Sequence, residues 1–206
     1  MGAAVTLGPE YFDALYSDAA DPWGIEQGWY EERKRAVVLA ALPRPRYVRA
    51  FEPGCASGAL SVGLAQRCDE LVCWDPAERA VEATRARLAA SSGVRVERGA
   101  LPGRALDGTF DLVVASEVVY YLDAGDRDAF WRAVADALEP GGHLVAIHWR
   151  REAPEYPVEG DAVHDELDAR PGLARIVRHE EADFRLDVHA RVPPLPRSVA
   201  EETGLR

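Results

Sequence analysis

The stretch Glu52-Pro53-Gly54-Cys55-Ala56-Ser57-Gly58 constrains the chemistry of this chain more than any other. Gly54 and Gly58 permit a tight turn and let a ligand approach the backbone closely. A turn that runs into a helix delivers its ligand to the helix N-terminus. The spacing is not the G-x-G-x-x-G of a dinucleotide site. Glu52 heads the turn, and a carboxylate there repels a pyrophosphate but attracts a cationic amino acid moiety. Asp75 follows Glu52 by roughly 20 residues, where an acid at the tip of the second strand of a parallel α/β unit hydrogen-bonds ribose hydroxyls. The plainer reading is that Asp75 caps a helix opening at Pro76. Glu117 and His148 fall just after the fourth and fifth apolar segments, at the sheet edge where ligands of open α/β sheets bind. Histidine titrates in the range needed for proton transfer near neutrality. The plainer readings are a helix cap for Glu117 and a satisfied buried imidazole for His148.

The elements that must position these groups alternate strand and helix, which predicts a mainly parallel sheet covered on both faces. A leading segment, 11–42, is broken at Asp21-Pro22-Trp23-Gly24. Its second half reads as a helix over 29–42, ended by Pro43 and Pro45. Strands are expected at 47–52, 71–74, 94–97, 110–115 and 143–149. Helices are expected after Gly58, from Asp75-Pro76 to 88, and over 126–138, where Phe130, Val134 and Leu138 repeat at four-residue steps. Asp111 alone interrupts the fourth strand's apolar run. Pro140-Gly141-Gly142 reads as a turn, 150–160 as a loop, 161–167 as a short helix, and 174–179 with 184–192 as a closing hairpin. The expected division is a leading segment 1–45, a core 46–193 and a frayed tail 194–206.

Bulk properties narrow the function. The 206 residues suit one α/β domain. The net charge of −11, with cations scattered among more numerous acids, argues against nucleic acid as a partner. No apolar run suits a membrane span, and residues 1–9 do not read as a secretory signal. A cytoplasmic protein is the default expectation. Cys55, Cys68 and Cys73 form no C-x-x-C pair, so neither a disulfide framework nor a zinc site is expected, and no metal is.

Together these motifs resemble the class I S-adenosylmethionine (SAM)-dependent methyltransferases over about 11–164. Phe110-Asp111-Leu112-Val113-Val114-Ala115-Ser116-Glu117 is similar to their fourth-strand motif, and Leu138-Glu139-Pro140-Gly141-Gly142 to the approach to their fifth strand. The resemblance implies a Rossmann-like α/β fold: a mainly parallel seven-stranded sheet, a C-terminal antiparallel hairpin and an N-terminal helical lid. It implies SAM as cofactor, with its methionine end at Glu52, Gly54, Cys55 and Gly58. Its ribose then lies at Asp75 and Pro76, its adenine near Leu101 and Pro102, and its methyl toward Ser116 and Glu117. Many relatives carry an acid after the third strand's glycine. Here the run is Gly99-Ala100-Leu101-Pro102, which leaves backbone groups to hold the adenine.

A narrower resemblance joins Asp21-Pro22-Trp23-Gly24, Trp29-Tyr30-Glu31-Glu32-Arg33-Lys34, Ser116-Glu117-Val118-Val119-Tyr120-Tyr121, His148-Trp149-Arg150 and Gly160-Asp161-x-Val163-His164. It is to the NodS group, associated with N-methylation of an amine on a deacetylated amino sugar. It implies that Trp23 packs on the cofactor and Arg33 pairs with its carboxylate. The plainer readings are core packing and a solvated helix face. The expected partner is a small-molecule acceptor. Glu117 and His148 are the candidate catalytic groups, with Tyr120, Tyr121, Asp161 and His164 beside the acceptor. A small-molecule O-methyltransferase and a non-catalytic SAM-binding protein are the alternatives. A nicotinamide-linked oxidoreductase fits the turn spacing poorly.

Overall fold

The computed structural model describes residues 4–103 and 106–205. Residues 1–3 of the expected leading segment and Arg206 of the expected tail lie outside the described residues. The chain begins with helices α1 (Pro9–Asp18) and α2 (Trp29–Ala41). It then alternates β1 (Tyr47–Pro53), α3 (Ser61–Ala65), β2 (Cys68–Asp75), α4 (Glu78–Arg87) and β3 (Val94–Arg98). β4 (Phe110–Ser116) runs into a single 3₁₀ turn, Val119–Tyr121, followed by α5 (Ala124–Ala137) and β5 (Leu138–Trp149). The chain closes with α6 (Gly160–Asp168), β6 (Leu173–Glu180), β7 (Phe184–Arg191) and the short α7 (Val199–Glu202).

The seven strands form one sheet in the order β3-β2-β1-β4-β5-β7-β6. The five strands from β3 to β5 are parallel to one another, and β7 pairs antiparallel with both β5 and β6. The Rossmann-like sheet and its C-terminal hairpin are therefore as the sequence implied. Two-residue alternation sorts the strands between two apolar layers. Phe51, Val113, Ala115, Leu144 and Ala146 pack with Phe130, Trp131 and Val134 of α5 and with Val163 and Leu167 of α6. Ala50, Leu112, Val114, Val145 and Ile147 face the other way, onto Val38 of α2, Leu64 of α3 and Val81 of α4.

The main departures lie at element ends. β5 starts at Leu138 because Phe110 pairs with Leu138 and Leu112 with His143, so Pro140-Gly141-Gly142 is a bulge inside the strand rather than a turn before it. Asp111 interrupts β4 to good effect. Its carboxylate accepts the amides of Val48 and Arg49 at 2.9 and 2.8 Å, satisfying donors that the ladder leaves open. α4 starts at Glu78 with Ala77 as N-cap, so Pro76 precedes the helix instead of opening it. Beyond 193, where the sequence offered only a frayed tail, Ser198 and Glu201 form a capping box that starts α7.

Candidate active site

Strand order reverses between β1 and β4, and an open α/β sheet carries its crevice at that switch point. Here a cavity of about 560 Å³ lies against the carboxyl ends of β1, β2 and β4, with α1, α2 and the segment between them supplying its other wall. That volume is in the range of small-molecule sites.

The turn after β1 is left-handed at Gly54 (φ 71°), Ala56 (φ 50°) and Gly58 (φ 77°). Gly54 and Cys55 both donate their amides to the Trp74 carbonyl, at 2.7 and 3.0 Å, which ties the turn to β2. A Cβ on Gly54 would stand 2.1 Å from Cγ1 of Val118. Glu52 is buried at the crevice floor, where it accepts the Ser61 hydroxyl at 2.5 Å and the Cys73 thiol at 3.6 Å. Burial pushes its pKa up to about 7. Asp75 accepts the amides of Ala56 at 2.9 Å and Ala77 at 3.0 Å, and burial pushes it up to about 6. Its carboxylate satisfies the N-cap amide of α4 and also lines the crevice.

Both acids gain charge as pH rises through these values, and a charged carboxylate accepts hydrogen bonds from hydroxyls and an ammonium better than a neutral one does. If the cofactor is the one the resemblance implies, affinity for its demethylated form, S-adenosylhomocysteine (SAH), is expected to rise by about tenfold between roughly pH 5 and pH 8. Calorimetric titration across that range checks the slope, and Asp75→Asn is expected to flatten its lower limb.

At the other end of the crevice the chain turns sharply after β4. Glu117 is a non-glycine residue at φ 56°, a conformation that costs about 1–2 kcal/mol and persists only where its surroundings enforce it. Its amide donates to the Ile147 carbonyl at 2.8 Å. Its carboxylate accepts Lys34 Nζ at 3.0 Å on Oε1, and the Tyr120 hydroxyl at 2.7 Å with the Trp149 amide at 2.8 Å on Oε2. Lys34, only 7% exposed, also donates to Glu31 at 2.9 Å and lies 5.2 Å above the Tyr30 ring. Tyr156 stacks on Tyr120 at 4.7 Å and meets Tyr121 edge-on at 4.8 Å, so the wall beside Glu117 is aromatic.

The structure brings Trp23, Glu52, Gly54, Cys55, Asp75, Pro76, Leu101, Ser116, Glu117, Tyr120 and Tyr121 to the crevice wall. Gly58, Arg33, Pro102, His148, Asp161 and His164 are not on that wall. Gly58 instead supplies the left-handed bend and packs toward Thr84. Arg33 makes a two-pronged ion pair with Glu181 on the β6–β7 connection at 2.8 and 2.7 Å, turned away from the crevice. One step along the helix, Lys34 and Arg35 face the crevice instead. Arg33→Ala is therefore expected to leave SAH affinity within about twofold, in keeping with the small worth of an exposed ion pair; a calorimetric loss beyond tenfold would show that the arginine reaches the ligand.

His148 and His164 are fully buried and hydrogen-bonded to each other, which removes them from contact with an acceptor. Asp161 is engaged by Arg150 at 2.8 Å. The groups that sequence reasoning passed over are Tyr30, Glu31, Lys34, Trp149 and Tyr156. The first three had a legible signal, because positions 30, 31, 34 and 38 share one face of a helix. Tyr156 sits in a loop that carries no periodicity. Among the described residues no cluster of His, Cys, Asp and Glu is arranged to hold a metal ion. No described helix is long and apolar enough to cross a membrane.

The profile of the family described as methyltransferase domain matches residues 51–144. A solved structure of a candidate methyltransferase from Pseudomonas syringae is 48% identical, covers 80% of this chain and 100% of that one, and superposes with a TM-score of 0.71. Nodulation protein S of Rhizobium tropici is 34% identical over 131 residues, which are 62% of this chain and 54% of that protein. The chain thus spans little more than half the length of the curated relative it matches. The structure of the N-methyltransferase NodS from Bradyrhizobium japonicum WM9 in complex with SAH is 24% identical, covers 87% of this chain and 98% of that one, and has a TM-score of 0.77, a likeness of fold.

Proposed function

Since this chain belongs to the methyltransferase domain family, with a NodS-like class I architecture, we propose that it transfers a methyl group from SAM to the nitrogen of a small-molecule amine, an amino sugar among the candidates. The observation that supports this most is the shared wall of the crevice. Glu52 and Asp75 stand at one end, and Glu117, backed by Lys34 and Tyr120, stands at the other.

The residues present fit the cofactor. Glu52 offers a buried carboxylate to an ammonium, Asp75 offers one to ribose hydroxyls, and Gly54 keeps the turn free of a side chain. Gly99, Ala100 and Leu101 line the part of the crevice suited to an adenine. Bound there, SAM supplies a methyl group already activated on a sulfonium.

The protein's own contribution is to position, dehydrate and deprotonate the acceptor. An amine attacks only when neutral. Glu117 is suited to hold an acceptor ammonium and take up its proton. Lys34 occupies one site on Oε1 and two donors occupy Oε2, which fixes the carboxylate's orientation while leaving Oε1 able to accept again. Tyr120, Tyr121, Tyr156 and Trp149 supply the aromatic surface that excludes water and packs against the acceptor's body. Two carboxylates at this end, Glu31 and Glu117, disfavour an anionic acceptor.

The test is methyl transfer from isotopically labelled SAM to a panel of primary amines, including deacetylated amino sugars and their hydroxyl counterparts, read by mass spectrometry. The expected product carries the label on nitrogen. Label found only on oxygen would move the chain to the O-methyltransferases. SAH binding without transfer to any acceptor would mark a non-catalytic binder.

A further inference from the structure

Behind the acceptor end of the crevice runs a chain of buried polar groups that the chemistry above does not use. The Val119 amide meets Nε2 of His148 at 3.3 Å. Nδ1 of His148 meets Nε2 of His164 at 3.2 Å, and Nδ1 of His164 meets Oδ2 of Asp187 at 2.8 Å. His148, His164 and Asp187 have no solvent exposure, and the chain links α6, β5 and β7 to the 3₁₀ turn. It is anchored at its far end by Arg185, whose Nε donates to Asp187 at 2.7 Å and whose guanidinium also reaches Asp165 and Asp168.

The direction of every bond follows from one fact: a backbone amide can only donate. Nε2 of His148 must therefore present its lone pair to Val119, which places the proton of His148 on Nδ1. That proton is donated to Nε2 of His164, so His164 carries its own proton on Nδ1 and donates it to the Asp187 carboxylate. Burial, reinforced by His164, keeps His148 neutral well below the ordinary histidine range. Burial alone would raise Asp187, but His164 and Arg185 hold it below the usual carboxylate range. Both ends of the chain thus stay in the states that the bond directions require.

The turn at the near end carries the groups assigned to the acceptor. Glu117 is in a left-handed conformation that needs support, Val118 packs against Gly54, and Tyr120 lays its ring edge-on against His148 at 5.1 Å. We infer that Asp187, His164 and His148 form a positioning relay in which the carboxylate fixes the tautomer of each imidazole, so that His148 accepts the Val119 amide and holds Glu117 and Tyr120 at the acceptor. His148 is a positioning residue here and touches neither substrate nor cofactor. The kinetic consequences rest on the function proposed above; the tautomers and the Val119 hydrogen bond do not.

The experiment has two arms on the full chain. Nitrogen-15 NMR of the histidine rings is expected to show Nε2 unprotonated and Nδ1 protonated in both His148 and His164, with and without SAH. A proton on Nε2 of His148 overturns the relay. In the second arm, His148→Leu removes the acceptor for Val119, whereas His148→Gln places an amide oxygen near the same point. The leucine variant is expected to lose acceptor kcat/KM by ~10²-fold, the scale of a small misplacement of catalytic groups, with SAH affinity nearly unchanged and faster exchange of the Val119 amide. Glutamine is expected to restore most of both. If the leucine chain does not fold, His148→Asn, whose amide is too short to reach Val119, replaces it in the comparison. Equal turnover and equal Val119 exchange in the two variants overturn the proposal. If the wild-type chain methylates no amine, the functional reading fails separately, and the ring nitrogens and amide exchange still decide the relay.

Discussion

Gly54→Ala is expected to reduce SAH affinity by at least ~100-fold, equivalent to about 2.7 kcal/mol. Two effects combine. The residue sits at φ 71°, where an L side chain costs about 1–2 kcal/mol. Its Cβ would also lie 2.1 Å from Val118 Cγ1 and 3.5 Å from Val118 Cβ. Val118 cannot withdraw without moving Glu117 on one side and the 3₁₀ turn on the other, so the clash deforms both ends of the crevice. Gly24→Ala is the matched control. Gly24 is left-handed at φ 67° and also lines the crevice, yet nothing lies within 4 Å of a Cβ placed there. It incurs backbone strain alone and is expected to lose less than ~10-fold. Calorimetry with SAH measures both variants, and thermal melts establish that each is folded. Equal losses in the two would show that strain, not closure against Val118, governs the turn.

Glu117→Gln is expected to lower acceptor kcat/KM by ~10³-fold, within the span of a missing general base, while SAH affinity changes less than severalfold. Glutamine keeps an oxygen for Tyr120 and Trp149 but removes the charge opposite Lys34, which is left with Glu31 alone in a nearly buried position. It also cannot take a proton from an ammonium. Tyr120 and Trp149, two of the three donors that hold the side chain in the native protein, keep an oxygen to bond, whereas the amide nitrogen cannot accept from Lys34, so the variant keeps the Oε2 side of the shape and loses the chemistry. A turnover within threefold of wild type would remove Glu117 from the proton transfer.

The parts of the site that were legible in the sequence are those where backbone geometry dictates the residue. A left-handed turn after a strand calls for glycine, and Gly54 is left-handed. An acid at the tip of the second strand must find donors, and Asp75 finds the amides of Ala56 and Ala77. The sheet was readable because each strand separates two apolar layers with a period of two, visible in residues 112–115.

What was not legible depends on rotation about a helix axis or on contacts between distant segments. Arg33 and Lys34 are adjacent in sequence but differ by about 100° around α2. One turns to Glu181 and the other to Glu117. His148 ends a strand at the ligand-binding edge, which suggested a base. The partner that fixes its role, His164, comes from α6, and the charge behind both comes from Asp187 on β7. Spacing along the chain does not encode that convergence. The bulge at Pro140-Gly141-Gly142 looked like a turn because glycine and proline mark both, and only the pairing of Phe110 with Leu138 distinguishes them.

We propose that one crevice receives an adenosyl amino acid, sugar against Asp75 and amino acid end at the 52–58 turn. A crystal structure of the chain soaked with SAH tests it most directly. Ribose hydroxyls are expected within hydrogen-bond distance of the Asp75 carboxylate, the ammonium near Glu52, and the sulfur facing Glu117. SAH bound elsewhere, or held in the same crevice with its ribose away from Asp75, would overturn this placement.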